Sequence, residues 1–70
     1  MSEEQITPLA EIEAPWSRHL SLSAVDHDSG LRMLRLRIKE GRARFTIIDL
    51  DERTARQLAQ HLSDWADAQK

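Results

Sequence analysis

Cysteine is absent from this 70-residue chain, and glycine and proline occur only twice each. A chain without thiols forms neither disulfides nor thiolate metal sites, so its fold does not depend on an oxidising compartment. Two isolated glycines cannot build a glycine-rich phosphate loop. The chain has no basic leader followed by an apolar stretch and no apolar run of membrane-spanning length. We therefore expect a cytoplasmic protein with no membrane partner.

The small size of the chain sets a second limit, because 70 residues support one domain with a marginal core. In such a domain, the free energy gained by burying side chains and the conformational entropy lost on ordering the chain are of similar size. Self-association is therefore a reasonable expectation.

A β-hairpin is predicted over residues 31–49, with Glu40 and Gly41 as a two-residue turn. This register places Leu36 opposite Phe45 and collects the large apolar residues on one face, because side chains alternate between faces along a strand. Nearly all of the positive charges fall on the other face. A shift by one residue would bury the arginines, so we expect the register to be strongly specified.

An earlier strand is predicted over residues 18–25, where polar and apolar residues alternate. The turn cluster that follows is Asp-His-Asp-Ser-Gly, over residues 26–30. Pairing Val25 with Leu31 across this turn gives the same buried face as the hairpin does. Two agreeing registers predict a three-stranded antiparallel meander.

The first seventeen residues hold four glutamates, two prolines and no basic residue. Within them, residues 9–14 could add a fourth strand at the N-terminal edge of the meander, because apolar residues alternate there with polar ones. We expect residues 1–8 to be disordered or loosely packed and residues 9–70 to form the single domain.

After the third strand, apolar residues recur at helical spacing from Ala55 to Ala66. Asp51 is the predicted N-cap, and Leu50 stands where it could pack on Ala55 as a hydrophobic staple. We expect the helix over residues 52–68, with its apolar stripe on the sheet. The predicted fold is therefore α+β: a three-stranded antiparallel meander, with the N-terminal edge strand as an optional fourth, covered on one face by a single C-terminal helix.

The net charge of −2 conceals an asymmetry, since residues 1–17 sum to −4 and residues 31–48 to +5. We predict that the outer face of the sheet, turned away from the helix, binds a partner. Its predicted binding residues are Met33, Arg35, Arg37, Lys39, Arg42, Arg44 and Ile48.

A basic face of this kind could meet nucleic-acid phosphates, and the architecture is similar to DNA-binding domains that lay a three-stranded sheet into the major groove. That similarity is an analogy of fold alone. The sequence pI of 5.8 is low for such a function, since small basic nucleic-acid-binding domains often have a pI above ~9. A solvated face, or one neutralised by the acidic N-terminal segment, explains the same arginines.

Apolar residues are also predicted on the outer face, where a single helix on the other side cannot reach them. They are Val25, Leu31, Met33 and Ile48. They favour a homodimer across this face or along an edge strand, unless the N-terminal segment folds over them. Arg32 is predicted on the opposite face, in an ion pair with Asp49.

Only the cluster Asp26-His27-Asp28 combines groups suited to catalysis or metal binding, and it lacks calcium-loop spacing and a second group of ligands. A turn favours such residues for local hydrogen bonding. We therefore predict no catalytic residue, no metal site, no cofactor and no small-molecule ligand. Trp16 and Trp65 are interpreted as packed aromatics with an edge near solvent.

A family resemblance comes from two short segments and the region after them. The chain resembles a small bacterial domain family of unknown function in Asp28-Ser29-Gly30-Leu31 and in Arg44-Phe45-Thr46-Ile47-Ile48-Asp49-Leu50-Asp51, continuing to Trp65. The similarity covers most of residues 9–66 and consists of ordinary turn, strand and cap chemistry. It implies a bacterial cytosolic protein and brings no activity, ligand or site.

These observations predict a non-enzymatic binding module that acts through protein–protein contact, either with another protein or as a homodimer. Nucleic acid is the alternative partner, bound by the arginines of the outer face.

Overall fold

The computed structural model describes residues 4–69 and contains four strands followed by one helix. The elements are β1 (Glu4–Ala14), β2 (Arg18–His27), β3 (Arg32–Glu40), β4 (Arg44–Leu50) and α1 (Glu52–Asp67). The strands form one antiparallel sheet in the order β1-β2-β3-β4. The predicted α+β class and meander are confirmed, and the fourth, N-terminal strand is present.

Strand β1 is longer than predicted, because it starts at Glu4 and takes in most of the segment expected to be loosely packed. Residues 1–3 lie outside the described residues. Pro8 is tolerated because β1 is an edge strand, where a missing backbone N–H need not break a ladder. The register shifts between Pro8 and Ala10, which leaves Leu9 as a bulge residue.

The pairing of β2 with β3 is offset by two residues from the prediction. Val25 lies opposite Met33, where Leu31 was expected, and Leu22 lies opposite Leu36. The ladder continues closer to the turn, where the His27 N–H donates to the Leu31 carbonyl at 2.9 Å. An offset of two leaves every side chain on its predicted face, because the strand period is two.

The pairing of β3 with β4 is offset by three residues from the prediction. An odd offset moves every side chain of β4 to the opposite face of the sheet. Glu40 pairs with Arg44, so the turn has three residues, beginning with Gly41 at φ +70°. Phe45 therefore lies opposite Lys39, on the face away from the helix. The predicted pairing of Phe45 with Leu36 is wrong, and Ile48 takes that place beneath the helix.

Two faces follow from these registers. The helix-side face is the one that carries Leu22, Leu36 and Ile48, and the outer face is the one that carries Ser21, Arg37 and Ile47. The bulge changes the parity of β1, so that Ile6 belongs to the outer face and Ile12 to the helix-side face. The register thus sends one strand's apolar residues to both faces.

Helix α1 begins as predicted, since the Asp51 side chain accepts a hydrogen bond from the Thr54 N–H at 2.7 Å. It contacts β3 and β4. A helix is about 10 Å wide and neighbouring strands lie about 4.8 Å apart, so one helix covers about two strands. The helix-side face of β1 and β2 is consequently left open.

The described chain is thin and extended, spanning 49 × 31 × 15 Å. Among residues 4–69, Val25 is the one large side chain that is fully buried, and it lies on the outer face between Ile6 and Met33. Trp16 and Trp65 are 84% and 68% exposed, so their interpretation as packed aromatics is wrong. The single chain has little core of its own.

Candidate functional site

The structure divides the predicted binding residues between the two faces and a turn. Arg35, Arg37 and Lys39 lie on the outer face, opposite Ser23, Ser21 and His19 of β2. Met33 shares that face. Three placements differ from the prediction: Arg42 lies in the β3–β4 turn, and Arg44 and Ile48 share the parity of the helix-side face. The predicted outer stripe of five cations is therefore reduced to three.

Arg35 is already occupied by a carboxylate of its own chain. Its Nε donates to Asp49 Oδ1 at 2.8 Å, and its Nη2 donates to Asp49 Oδ2 at 3.1 Å. This bidentate bond lowers the pKa of Asp49 and raises that of Arg35. The predicted pair of Arg32 with Asp49 is wrong, because β4 lies in a different register, and Arg32 instead pairs with Asp26 at 3.4 Å.

His19 lies at the acidic edge of the outer face, between two glutamates of β1. One ring nitrogen bonds to Glu13, and Nε2 lies 2.8 Å from Glu11 Oε1. The hydrogen bonds with Glu13 and Glu11 raise the pKa of His19, because both carboxylates favour the protonated ring. This cluster was not among the predicted sites. Alternating glutamates before a tight turn and a histidine after it were the available signal.

Arg37 and Lys39 have an aromatic neighbour. The Arg37 guanidinium carbon lies 4.1 Å from the centre of the Phe45 ring, and Lys39 Nζ lies 6.0 Å from it. Both distances suit cation–π contact. The three-residue turn creates this contact, because it brings Phe45 to the outer face. The face there combines cations with apolar surface from β4.

The helix-side face contains an apolar gap of about 240 Å³ between α1 and the sheet. Its lining residues are Ile12, Leu20, Leu22, Leu34, Leu36, Leu50, Ala55, Leu58, Ala59 and Leu62. Several large apolar side chains around it stay open to solvent, including Ile12 at 48% exposure and Leu62 at 60%. The predicted covering of the sheet by the helical stripe is thus only half achieved.

The turn cluster Asp26-His27-Asp28 was considered as a metal site, but Asp26 and His27 contact different side chains. Asp26 pairs with Arg32, and His27 Nδ1 lies 3.4 Å from Glu4 Oε2. Across residues 4–69, no group of three or more His, Asp or Glu side chains is placed to hold a metal ion. In the same part of the chain, no helix combines the length and apolar character needed to cross a bilayer.

Comparison of the sequence with known families gives one match. The profile described as "Family of unknown function (DUF6967)" matches residues 3–68. No curated protein and no solved structure matches the chain at a significant level. The family description supplies no activity, ligand or partner, so the geometry above is what a functional proposal rests on.

Proposed function

Because this chain belongs to that family of unknown function, we propose its role from its surfaces: it is a non-enzymatic binding module that acts through protein–protein contact. A second copy of the chain covers the helix-side face. The observation that carries this proposal is the amount of surface that the single chain leaves exposed.

The accessible surface of the chain is 6132 Å², for a mass of 8.1 kDa. A compact monomer of this mass exposes about 4,500 Å², so the excess is about 1,600 Å². A standard interface buries about 800 Å² per partner, and obligate dimers bury more. The excess is therefore sufficient for an obligate dimer.

The shape of the chain supports the same proposal. Its radius of gyration is 14.1 Å, whereas a compact domain of 70 residues has about 11 Å. Two slabs 15 Å thick that stack face to face have their centres about 15 Å apart, so a second copy would raise the radius only to about 16 Å. That value approaches the ~14 Å expected of a compact domain of twice the length.

Exposed apolar side chains lie on both faces, and the helix-side face is favoured because the exposed apolar residues of α1 lie there beside an apolar gap. Leu58 and Leu62 of α1 are 40% and 60% exposed and line the gap between α1 and the sheet, and Trp65, three residues further along the helix, is 68% exposed. The exposed end of α1 and the apolar gap lie on the same face. Under a two-fold axis, the helix end of each copy can therefore enter the gap of the other copy. The outer face is less suited, because ion pairs within the chain already satisfy many of its charges.

Nucleic-acid binding, the alternative function, has less support. Of the arginines considered for it, Arg35 is held by Asp49 and Arg44 has helix-side parity. Glu11 and Glu13 of β1 lie at the acidic edge of the same outer face and would repel phosphates. A salt-dependent shift with single- or double-stranded DNA or RNA, lost in Arg37→Glu, would restore this alternative.

The proposal is tested by the mass in solution. We expect light scattering after size exclusion to give twice 8.1 kDa at micromolar concentration. Leu62→Glu should shift the protein to monomer or unfold it, because a carboxylate would enter the apolar gap. The matched control is Gln57→Glu, which adds the same charge on the polar side of α1 and should stay dimeric.

The unfolding midpoint separates a folding defect from an association defect. For an obligate dimer, the midpoint in urea rises with protein concentration. A folded wild-type monomer whose midpoint is independent of concentration would overturn the proposal. So would a chain that becomes folded only after addition of a different protein.

A further inference from the structure

The two edges of the sheet differ in how well they are protected from pairing with another strand. Edge strand β1 contains Pro8, a bulge at Leu9 and exposed glutamates at positions 4, 11 and 13. Proline, bulges and charges are the usual means of blocking an edge. Strand β4 has no proline, pairs with β3 without a register shift, and exposes six of its seven residues. The β4 edge is therefore open to a further strand.

The surroundings of β4 carry positive charge that the chain does not neutralise. Within residues 4–69, no ion-pair partner is found for Arg37, Lys39, Arg42 or Arg44. The guanidinium of Arg37 extends over the ring of Phe45, which places its charge at β4. Because these cations surround one edge, an acidic strand would meet favourable charge along it.

The side chains of β4 add an apolar requirement. Phe45 and Ile47 lie on the outer face at 43% and 56% exposure, and Ile48 lies on the helix-side face at 45%. A strand added beside β4 would place alternate residues next to each of these rows. Apolar residues in one row would bury the exposed surface, while acidic residues would meet the cations.

We propose that the free edge of β4 binds an extended acidic segment of another protein, which adds a fifth strand to the sheet. Backbone hydrogen bonds supply the pairing, and Arg37 and Lys39 supply the preference for acidic side chains. A second copy of β4 is a poor occupant, because two hairpins that each carry +5 over residues 31–48 would lie side by side. The site is independent of the proposed dimer, since it uses the sheet edge and not the helix-side face.

A defined peptide probe tests this site. The probe is a fluorescein-labelled peptide of seven alternating glutamates and valines, and binding to the full chain is followed by fluorescence anisotropy in low salt. We expect saturable binding and new protection of β4 amide protons from exchange. The same peptide N-methylated at every residue should bind at least ~10-fold more weakly, because it lacks the backbone donors on both of its edges. A lysine–valine peptide should not bind.

Two charge variants locate the binding. Arg37→Glu should weaken binding of the acidic peptide about 10-fold or more, because the partner's carboxylate would face a like charge. Arg53→Glu makes the same charge change on α1, where the arginine also has no ion-pair partner among the described residues, and should change affinity less than about 2-fold. Circular dichroism of both variants checks that the sheet is intact.

Three results would overturn the proposal. The first is absence of binding in low salt, and the second is equal binding of the N-methylated peptide, which would indicate charge attraction alone. The third is protection, in the protein without peptide, of the β4 amides that point away from β3, which would show that a second copy already occupies the edge. Each result can be obtained whether or not the helix-side dimer exists.

Discussion

The two faces of the sheet differ in where their side chains find partners. On the outer face, Arg35 bonds to Asp49 and His19 bonds to two glutamates, all within one chain. On the helix-side face, Ile12 and Leu62 remain about half exposed around an open gap. Charges of the outer face are thus paired within a single chain, whereas the apolar gap of the helix-side face lacks a cover. Substitutions at matched positions on the two faces test this comparison.

The largest contrast is expected between neighbouring residues of β2 that point to opposite faces. Leu22→Asp places a carboxylate in the apolar gap and should lower the free energy of unfolding by more than about 3 kcal/mol. Ser23→Asp, opposite Arg35 on the outer face, should change it by less than about 1 kcal/mol. Urea unfolding at a fixed protein concentration measures both. Equal losses would remove the distinction between the faces.

A finer contrast uses two isoleucines of β1 with nearly equal exposure in the single chain. Ile12 is 48% exposed on the helix-side face, and Ile6 is 52% exposed on the outer face. If a second copy covers the helix-side face, Ile12→Ala should cost about 2 to 4 kcal/mol and Ile6→Ala about 1 kcal/mol. In a monomer the two costs would be similar. Thermal and urea unfolding of the two variants separate these outcomes.

The ion pair of the outer face predicts an acid dependence. The folded-state pKa of Asp49 is lowered from its ordinary 3.8 by the bond from Arg35, so its stabilisation is present above pH 3.8 and is lost as pH falls through the lowered pKa. Asp49→Asn should therefore melt below wild type at neutral pH and approach it in strong acid. Parallel melting curves at every pH would show that the pair contributes nothing.

The smallest effect is expected at the acidic edge, where the pH dependence of stability has the opposite sign. The folded-state pKa of His19 is raised above its ordinary 6.5 by Glu13 and Glu11, so its stabilisation is present below pH 6.5 and is lost as pH rises through the raised pKa. His19→Gln should remove this dependence. The melting temperatures of the two proteins would then converge toward alkaline pH, and a constant difference would contradict the assignment.

Alternation along the strands was sufficient to predict the faces of β2 and β3, because a period of two survives an even error in register. The β2–β3 offset of two residues therefore left Arg35 and Leu36 correctly placed. The β3–β4 turn was different, since Gly41 supplies a positive φ in either a two- or a three-residue turn. The odd difference moved Phe45 and Ile48 to opposite faces from those predicted.

The candidate sites were less predictable, because each depends on pairs that are distant in sequence. The bond from Arg35 to Asp49 forms only because the observed register places Asp49 opposite Arg35. The contacts of His19 form because the bulge in β1 places Glu11 and Glu13 on the outer face. The helical spacing correctly placed Asp51 at the start of α1, but it could not show that a single helix leaves half of the sheet bare.

The bulge at Leu9 also decides how β1 would respond to a change in its length by one residue. Upstream of it Ile6 joins Val25 and Met33, and downstream Ile12 lines the apolar gap. Because Pro8 pairs with Ser23 and Ala10 with Leu22, deletion of Leu9 would leave an uninterrupted ladder with both halves of the strand on their present faces. Insertion of one residue there would instead require a second bulge or turn the downstream half over, which would bring Glu11 and Glu13 into the apolar layer, so β1 should tolerate the loss of one codon at this point better than the gain of one.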